Sequence, residues 1–155
     1  MRRAGVNLPR ILLAAAVICL APFFVCDVSA QCSVSATAVE FGNYNVFATG
    51  NVDSTGTVTV NCTLLSLVSV QLNRGQFATS FSPRQMNRSG ERLNYNLFFD
   101  STRTQIWGDG TSGTVVWSAG LVSGNQSRTV YGRVFPLQDV TVGAYTDTVI
   151  VTAVF

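Results

Sequence analysis

The stretch that decides the fold reads Tyr145-Thr146-Asp147-Thr148-Val149-Ile150-Val151-Thr152-Ala153-Val154-Phe155. Successive side chains of a β-strand point to opposite faces, so one face of this stretch carries Tyr145, Val149, Val151, Ala153 and Phe155. Natural sheets usually protect an edge with charge or proline, and Asp147 is the only charged side chain here. The stretch therefore predicts a strand that runs up to Phe155, lines a core with one face and leaves an edge open to a partner.

The opposite end of the chain predicts export. Arg2, Arg3 and Arg10 precede an apolar run over residues 11–25, and small residues at 28–30 follow it. These are the parts of a secretory signal peptide over residues 1–30. The run is shorter than the roughly 18 residues that span a bilayer, so the mature domain, residues 31–155, is predicted to have no integral membrane segment. A lipoprotein acylated at Cys26 is the alternative, which the bulky residues at 23–25 disfavour.

Removal of residues 1–30 leaves two cysteines, Cys32 and Cys62. An even pair in an oxidising compartment predicts a disulfide. Such a bond closes a loop of about thirty residues, which the chain-entropy model values at roughly 3 to 4 kcal/mol. A metal site built on two free thiols is the weaker reading because the chain contains no histidine. No cofactor is predicted.

Charge and composition argue against two classes of function. Residues 31–155 contain seven arginines, no lysine and seven acidic residues, so the domain is formally neutral and lacks the basic surface of a nucleic-acid binder. Without histidine, Ser-His-Asp and Cys-His nucleophile systems are excluded. The carboxylates that could form a hydrolytic pair stand at turns or strand ends, so no enzyme activity is predicted: Asp100, Asp109, Asp139 and Asp147.

Short strand-like runs between polar turns predict one all-β domain, a β-sandwich of about seven strands. No run has the period of an amphipathic helix. The predicted strands cover residues 34–41, 56–63, 67–72, 93–99, 114–117, 127–135 and 145–155. Aromatic residues such as Trp107 and Trp117 fit a core better than a sugar-binding platform.

Several motifs in one order resemble the spore coat protein U domain family, whose members include pilus subunits of the archaic chaperone-usher pathway. They cover nearly the whole mature chain: Cys32-Ser33-Val34-Ser35, Phe41-Gly42-Asn43-Tyr44, Gly56-Thr57-Val58-Thr59-Val60-Asn61-Cys62, Arg84-Gln85-Met86, Leu93-Asn94-Tyr95-Asn96-Leu97-Phe98-Phe99-Asp100, Trp107-Gly108-Asp109-Gly110, Tyr131-Gly132-Arg133-Val134 and Gly143-Ala144-Tyr145-Thr146-Asp147. The resemblance implies an incomplete immunoglobulin-like sandwich that lacks one strand. In this family a periplasmic chaperone completes the sandwich first, and the N-terminal extension of a neighbouring subunit completes it afterwards.

The resemblance also implies a function and a binding surface. The expected function is a structural or adhesive subunit of a secreted pilus, exported through the periplasm to the cell surface or beyond. Its partners would be the chaperone, an outer-membrane usher and neighbouring subunits. They would bind along the terminal strand, at Tyr145, Val149, Val151, Ala153 and Phe155.

Two alternatives stay open. Polymerising subunits carry a donor segment before their first cysteine, whereas cleavage after Ala30 leaves only Gln31 and favours a tip or terminal subunit. Cleavage after Ala21 would instead retain residues 22–31 as a short donor containing an unpaired Cys26. The alternative function is a stand-alone secreted or coat-associated β-sandwich that binds a ligand with its loops.

Overall fold

The computed structural model describes residues 32–155, so the predicted signal peptide and both cleavage sites lie outside the described residues. The all-β prediction is confirmed. The strands are β1 (Cys32–Ala36), β2 (Val52–Leu72), β3 (Arg84–Arg88), β4 (Glu91–Phe98), β5 (Trp117–Val134) and β6 (Val151–Val154).

All six strands belong to one antiparallel sheet with the order β1-β2-β5-β4-β3. Strand β6 also pairs with β2, from Ser69↔Val154 to Leu72↔Val151, while β1 pairs with an earlier part of β2 starting at Cys32↔Cys62. Strand β5 occupies the other edge of β2 over most of its length. Strands β1 and β6 therefore share one edge of β2.

The long strands β2 and β5 fold the sheet over on itself. Their pairing runs from Val52↔Val134 to Cys62↔Gly124, shifts register, and resumes at Ser66↔Val122. Such a bulge bends the strand pair without ending it. Because Val58 and Val60 before the bulge share one core with Val68 and Val70 after it, the two halves face each other as two layers.

The prediction of separate strands at 56–63 and 67–72, and at 114–117 and 127–135, was wrong. Each pair contributes to one continuous strand, with only Trp117 of the segment 114–117 included. The backbone bulges at residues 63–65 and keeps its partner on both sides, so no turn separates the halves. Six strands result, where about seven were predicted.

Strand β3 was not predicted, because its sequence Arg-Gln-Met-Asn-Arg has no apolar alternation. It forms a hairpin with β4 through Ser89 and Gly90, whose positive φ angles of 48° and 99° suit a tight two-residue turn. Its first residue, Arg84, is fully buried and donates to the Trp107 carbonyl at 2.6 Å and to Asn96 Oδ1 at 2.8 Å. Burial lowers the pKa of Arg84 to about 10.

The core lies between the two layers and confirms the packing role of the tryptophans. Trp107 is fully buried, stacks edge-on against Trp117, and its Nε1 donates to the Val70 carbonyl at 3.1 Å. The predicted disulfide between Cys32 and Cys62 is present and ties the start of β1 to β2. No helix in the described part of the chain has the length and apolar character needed to cross a membrane.

Only residues 151–154 of the predicted strand 145–155 are paired as a strand. The backbone of residues 145–150 joins the fold through a bridge between Thr146 and Asn87 and through hydrogen bonds between Ile150 and Asn73. The molecule has two ends, a bulge end and a loop end. The bulge end contains residues 63–65, Cys32 and Phe155, and the loop end contains the loops 42–51 and 135–144.

Candidate functional site

A groove runs along the molecule between residues 36–41, which continue β1, and residues 145–151. Two connected cavities of about 410 and 900 Å³ form it, and both are lined by Val39, Phe41, Met86 and Tyr145. The second cavity extends to the loop end. The floor of the first cavity consists of core side chains: Val58, Leu72, Met86, Tyr95, Leu97 and Val130.

The first rim, residues 36–41, is held to β2 on one side only. Thr37 N donates to the Thr57 carbonyl at 2.9 Å, and the Ser54 hydroxyl donates to the Glu40 carbonyl at 2.6 Å. Among the described residues, the backbone groups of Ala38, Val39 and Phe41 make no hydrogen bond. This rim therefore presents free donors and acceptors beside the groove.

Two glycines let the first rim lie close to the sheet. A Cβ atom on Gly132 would lie 2.6 Å from Val39 Cγ1 and 2.8 Å from Phe41 Cζ. A Cβ atom on Gly56 would lie 2.8 Å from Val39 Cγ2 and 2.9 Å from the Thr37 carbonyl oxygen. All four distances are shorter than van der Waals contact, so a side chain at either position would push the rim outward.

The backbone of the second rim, residues 145–149, bonds to the rest of the fold through Thr146. Asn87 N donates to the Thr146 carbonyl at 2.8 Å, and Thr146 N donates back at 3.2 Å. Just beyond it, Ile150 N donates to Asn73 Oδ1 at 2.9 Å. In the part of the chain that the structure describes, the backbone groups of Tyr145, Asp147 and Val149 make no hydrogen bond. Since alternate residues of an extended chain point to opposite edges, the edge facing the groove is open.

Asp147 anchors the second rim. Its carboxylate accepts hydrogen bonds from the Tyr95 hydroxyl at 2.7 Å, from Gln76 N at 2.8 Å and from Thr148 N at 2.8 Å. Burial of Tyr95, aided by its hydrogen bond to Asp147, raises the pKa of Tyr95 well above its usual value, so the hydroxyl stays protonated. The sequence shows Asp147 only as the charged residue of the terminal strand and as a weak catalytic candidate. No sequence signal indicates its hydrogen bond with Tyr95.

Glu91 holds the loop-end part of the same rim. Its carboxylate accepts hydrogen bonds from the Thr141 hydroxyl, from Thr141 N and from the Tyr145 hydroxyl. The bond from the Thr141 side chain, followed by that from Tyr145, lowers the pKa of Glu91. The rim is thus fixed by two carboxylates on its sheet side, while its groove side remains unpaired.

Known proteins match this sequence over most of its length. The profile of the Spore Coat Protein U domain matches residues 22–152. The chain belongs to this family. It is 34% identical to Protein U of Myxococcus xanthus over an alignment of length 145 that covers 83% of this chain and 80% of that protein.

The fold of this spore coat protein U domain is similar to that of one chain in the crystal structure of the CsuC-CsuE chaperone-tip adhesion subunit pre-assembly complex from archaic chaperone-usher Csu pili of Acinetobacter baumannii. The TM-score is 0.60 at 24% identity, and the match covers 83% of this chain but only 40% of that one. This likeness supports the fold, the incomplete immunoglobulin-like sandwich predicted from the sequence.

The structure places four of the five predicted binding residues of this spore coat protein U domain side by side. They are partly buried and pack against the core: Tyr145, Val149, Val151 and Ala153. The alternate residues Thr146, Thr148, Ile150 and Thr152 are exposed, as a period of two requires. Phe155 is different, because it is 58% exposed at the bulge end and does not line the core. Binding of a partner by these residues stays a prediction.

Two of the four carboxylates weighed as catalytic candidates, Asp100 and Asp109, serve local turns. Asp100 accepts from Gln105 N at 2.7 Å and Thr104 N at 3.1 Å, and Asp109 accepts from Thr111 N at 2.9 Å. Within residues 32–155, no cluster of three or more potential metal ligands occurs. The groove is therefore the feature of the described chain that best fits a binding function.

Proposed function

We propose that this domain is a subunit of a secreted surface fibre that is completed by an extended strand from a partner. The groove is the observation that carries the proposal. An extended segment laid between residues 36–41 and 145–149 would pair with the free backbone groups of either rim, which is the geometry of recognition by strand addition. Its alternate side chains would point toward the apolar floor.

The expected free energy of this binding is large compared with the stability of a domain. Four or five apolar side chains contribute about 1.5 to 3 kcal/mol each when buried, or roughly 6 to 15 kcal/mol before entropic costs. A typical domain has a total stability of roughly 5 to 15 kcal/mol. Strand binding would then govern whether the subunit remains folded, which explains the need for a chaperone before assembly.

The partners follow from the same reasoning. A periplasmic chaperone would fill the groove after export. At an outer-membrane usher, a neighbouring subunit would then replace the chaperone and supply the final strand. The pilus system named for the similar fold and the family membership support this route to the cell surface. The complex with a chaperone named there gives the pattern for the first step.

Two positions in the fibre correspond to the two cleavage sites. Cleavage after Ala30 would leave no donor segment and would make this a tip or terminal subunit. Cleavage after Ala21 would leave residues 22–31 as a donor, and the family match that starts at residue 22 supports this form. N-terminal sequencing of the exported protein distinguishes the two.

The test of the function is co-expression. Produced alone in an oxidising periplasm, the subunit should aggregate or be degraded, and co-expression with a cognate periplasmic chaperone should recover it as a soluble complex. A monomer that is soluble alone, unfolds cooperatively and binds no chaperone would instead support the stand-alone binding module. The near-complete burial of floor residues such as Val58 and Leu72 in the described chain is the observation that favours that second candidate.

A further inference from the structure

Large apolar side chains that are exposed to solvent collect at the two ends of the domain. The bulge end carries Leu64, Leu65, Leu67, Leu121, Val154 and Phe155. The loop end carries Phe47, Leu137 and Val142. Ile150, in the middle of the terminal segment, is the other large exposed apolar side chain of the described residues.

The bulge end combines these apolar side chains with an absence of charged side chains. Leu67 and Leu121 are partners in the β2–β5 register and are 69% and 67% exposed. The chain segments nearest the bulge in the strand registers, residues 59–70, 117–127 and 151–155, contain no ionisable side chain. Exposed apolar surface without charge is typical of the core of a protein interface.

The loop end presents the second apolar surface beside the groove. Val142 is 94% exposed and belongs to the lining of the second cavity, and Phe47 is 86% exposed next to Val46, which lines the same cavity. A strand that fills the groove down to this end would pass close to both side chains. Whatever follows that strand must therefore lie beyond the loop end.

The chain direction indicates what lies there. A donor segment antiparallel to residues 145–154 enters the groove at the bulge end, where Phe155 lies, and leaves it at the loop end. In a donor copy that segment leads directly into Cys32, which pairs with Cys62 next to the bulge. The loop end of the acceptor copy then faces the bulge end of the donor copy.

We infer that consecutive copies of this chain make a second, head-to-tail contact, in which Leu65, Leu67 and Leu121 of the donor copy pack against Phe47 and Val142 of the acceptor copy. The inference rests on the proposed function and applies to the mature form that keeps residues 22–31. Because the two surfaces differ, the contact is heterologous and extends into an open filament without closing a ring. It would add a surface contact at each junction to the strand exchange itself.

The test uses the full-length subunit expressed with its chaperone and usher. Leu67→Asp should reduce the fraction of subunit recovered in fibres by about tenfold, because it places an unpaired carboxylate in an apolar contact. Val142→Arg should do the same from the other side of the junction. The double variant Leu67→Asp/Val142→Arg should recover most of the yield, since each junction then holds an opposite-charge pair. Thr55→Asp is the control, because this exposed β2 side chain lies outside the groove and outside both ends, and it should assemble like the wild type.

The chaperone complex, isolated from the same cells, separates this contact from the proposed function. Unchanged complex yield with reduced fibre yield and rescue in the double variant supports the contact. Fibre yields equal to the wild type for both single variants overturn it, as does loss of the chaperone complex in Leu67→Asp, which would assign the bulge end to the chaperone. A mature protein that begins at Gln31 also overturns it, because the donor segment is then missing. A wild-type chain that forms neither complex nor fibre overturns the proposed function and this contact together.

Discussion

Asp147 connects the groove to the rest of the fold through single hydrogen bonds to the loop at Gln76 and to the buried hydroxyl of Tyr95. A buried hydroxyl that loses its acceptor costs about 1 to 3 kcal/mol, more than the bond itself contributes. Removing Asp147 leaves the Tyr95 hydroxyl buried and unpaired, whereas removing the hydroxyl leaves no such group. The loss of Asp147 should therefore destabilise the domain more than the loss of the Tyr95 hydroxyl. The rim would then lose its fixed position as well as stability.

We expect Asp147→Ala to lower the free energy of unfolding by about 1 to 3 kcal/mol and Tyr95→Phe to lower it by less. Urea unfolding followed by tryptophan fluorescence measures both, since Trp107 and Trp117 are buried. The double variant should lose less than the sum of the two single losses. Asp139→Asn, at an exposed carboxylate without a hydrogen bond among the described residues, is the control. Strict additivity would show that the two side chains are not coupled.

Asp53 makes stability depend on pH. The hydrogen bond from Arg133, at 2.7 Å, and the nearby charge of Arg103 lower the pKa of Asp53 in the folded state. A carboxyl group whose pKa is lower in the folded state stabilises the fold. This stabilisation is fully present above the unfolded-state pKa of about 3.9 and disappears as the pH falls through the folded-state pKa. Asp53 therefore stabilises the domain at neutral pH and ceases to do so in acid.

The urea midpoint of the wild type should fall as the pH drops below about 4, and Asp53→Asn should show a smaller fall over the same interval. Asp139→Asn should keep the wild-type slope, because that carboxylate has no ion pair in the described chain. Equal slopes for the wild type and Asp53→Asn would mean that the ion pair with Arg133 does not form in solution.

Strand β1 and the rim that follows it depend on one covalent bond and two glycines. The Cys32–Cys62 disulfide fixes the first residue of β1 to β2. Gly132 and Gly56 then allow residues 37–41 to lie against the sheet. The position of the first rim, and with it the width of the groove, follows from these three features.

Replacing Cys32 or Cys62 by Ser should lower the free energy of unfolding by about 3 to 4 kcal/mol, since the bond closes a loop of about thirty residues in the unfolded chain. The measurement is the yield of folded protein in the periplasm, together with urea unfolding where enough folds. The double variant should resemble the single ones. A free-thiol assay that finds both cysteines reduced in the wild-type exported protein would remove the basis of this expectation.

Gly132→Ala should displace the first rim, because the added methyl group would overlap Val39 and Phe41. Overpacking of this kind costs about 1 to 3 kcal/mol, and we expect weaker capture by the chaperone in a pull-down at fixed expression. Gly50→Ala is the matched control, since nothing lies within 4 Å of a Cβ at that position. Wild-type capture by Gly132→Ala would show that the rim moves freely enough to accommodate the group.

At the scale of the whole domain, the two edges of the folded sheet approach each other without pairing completely. The sheet folds over at the bulge, β6 returns to the edge that β1 already occupies, and Thr146 bridges to β3. The groove between residues 36–41 and 145–149 is the place where the two layers are not joined by backbone hydrogen bonds. A single added strand would join them, so under the proposed function the binding of a partner would also complete the fold.

Deleting residues 150–155 should abolish chaperone capture while export and signal cleavage stay intact. A finer comparison uses neighbouring positions: Val151→Asp places a charge on the face that lines the groove, and Thr152→Asp places the same charge on the exposed face. Capture should be lost in the first and kept in the second, as read by co-purification with the chaperone. Capture that survives the deletion would show that the chaperone docks elsewhere.

The sequence by itself determined the fold class, the disulfide, and four of the five terminal residues that were predicted to face the core. These follow from local information: the period of two at residues 145–155, the count of cysteines left after the signal, and motifs that stand in one order along the chain. Strand boundaries were less accessible, because a bulge at residues 63–65 and a turn look alike in sequence.

Only the tertiary structure decided where the groove lies and what holds its rims. The partners are distant in sequence: Asp147 meets Tyr95 and Gln76, Gly132 lies under Val39, and Arg84 is surrounded by carbonyl groups of residues 73 and 107. Whether a carboxylate or a guanidinium is buried depends on the acceptors and donors that the folded chain brings to it. No period or motif encodes that environment, and so the open backbone edges facing the groove became visible only once the sheet was assembled.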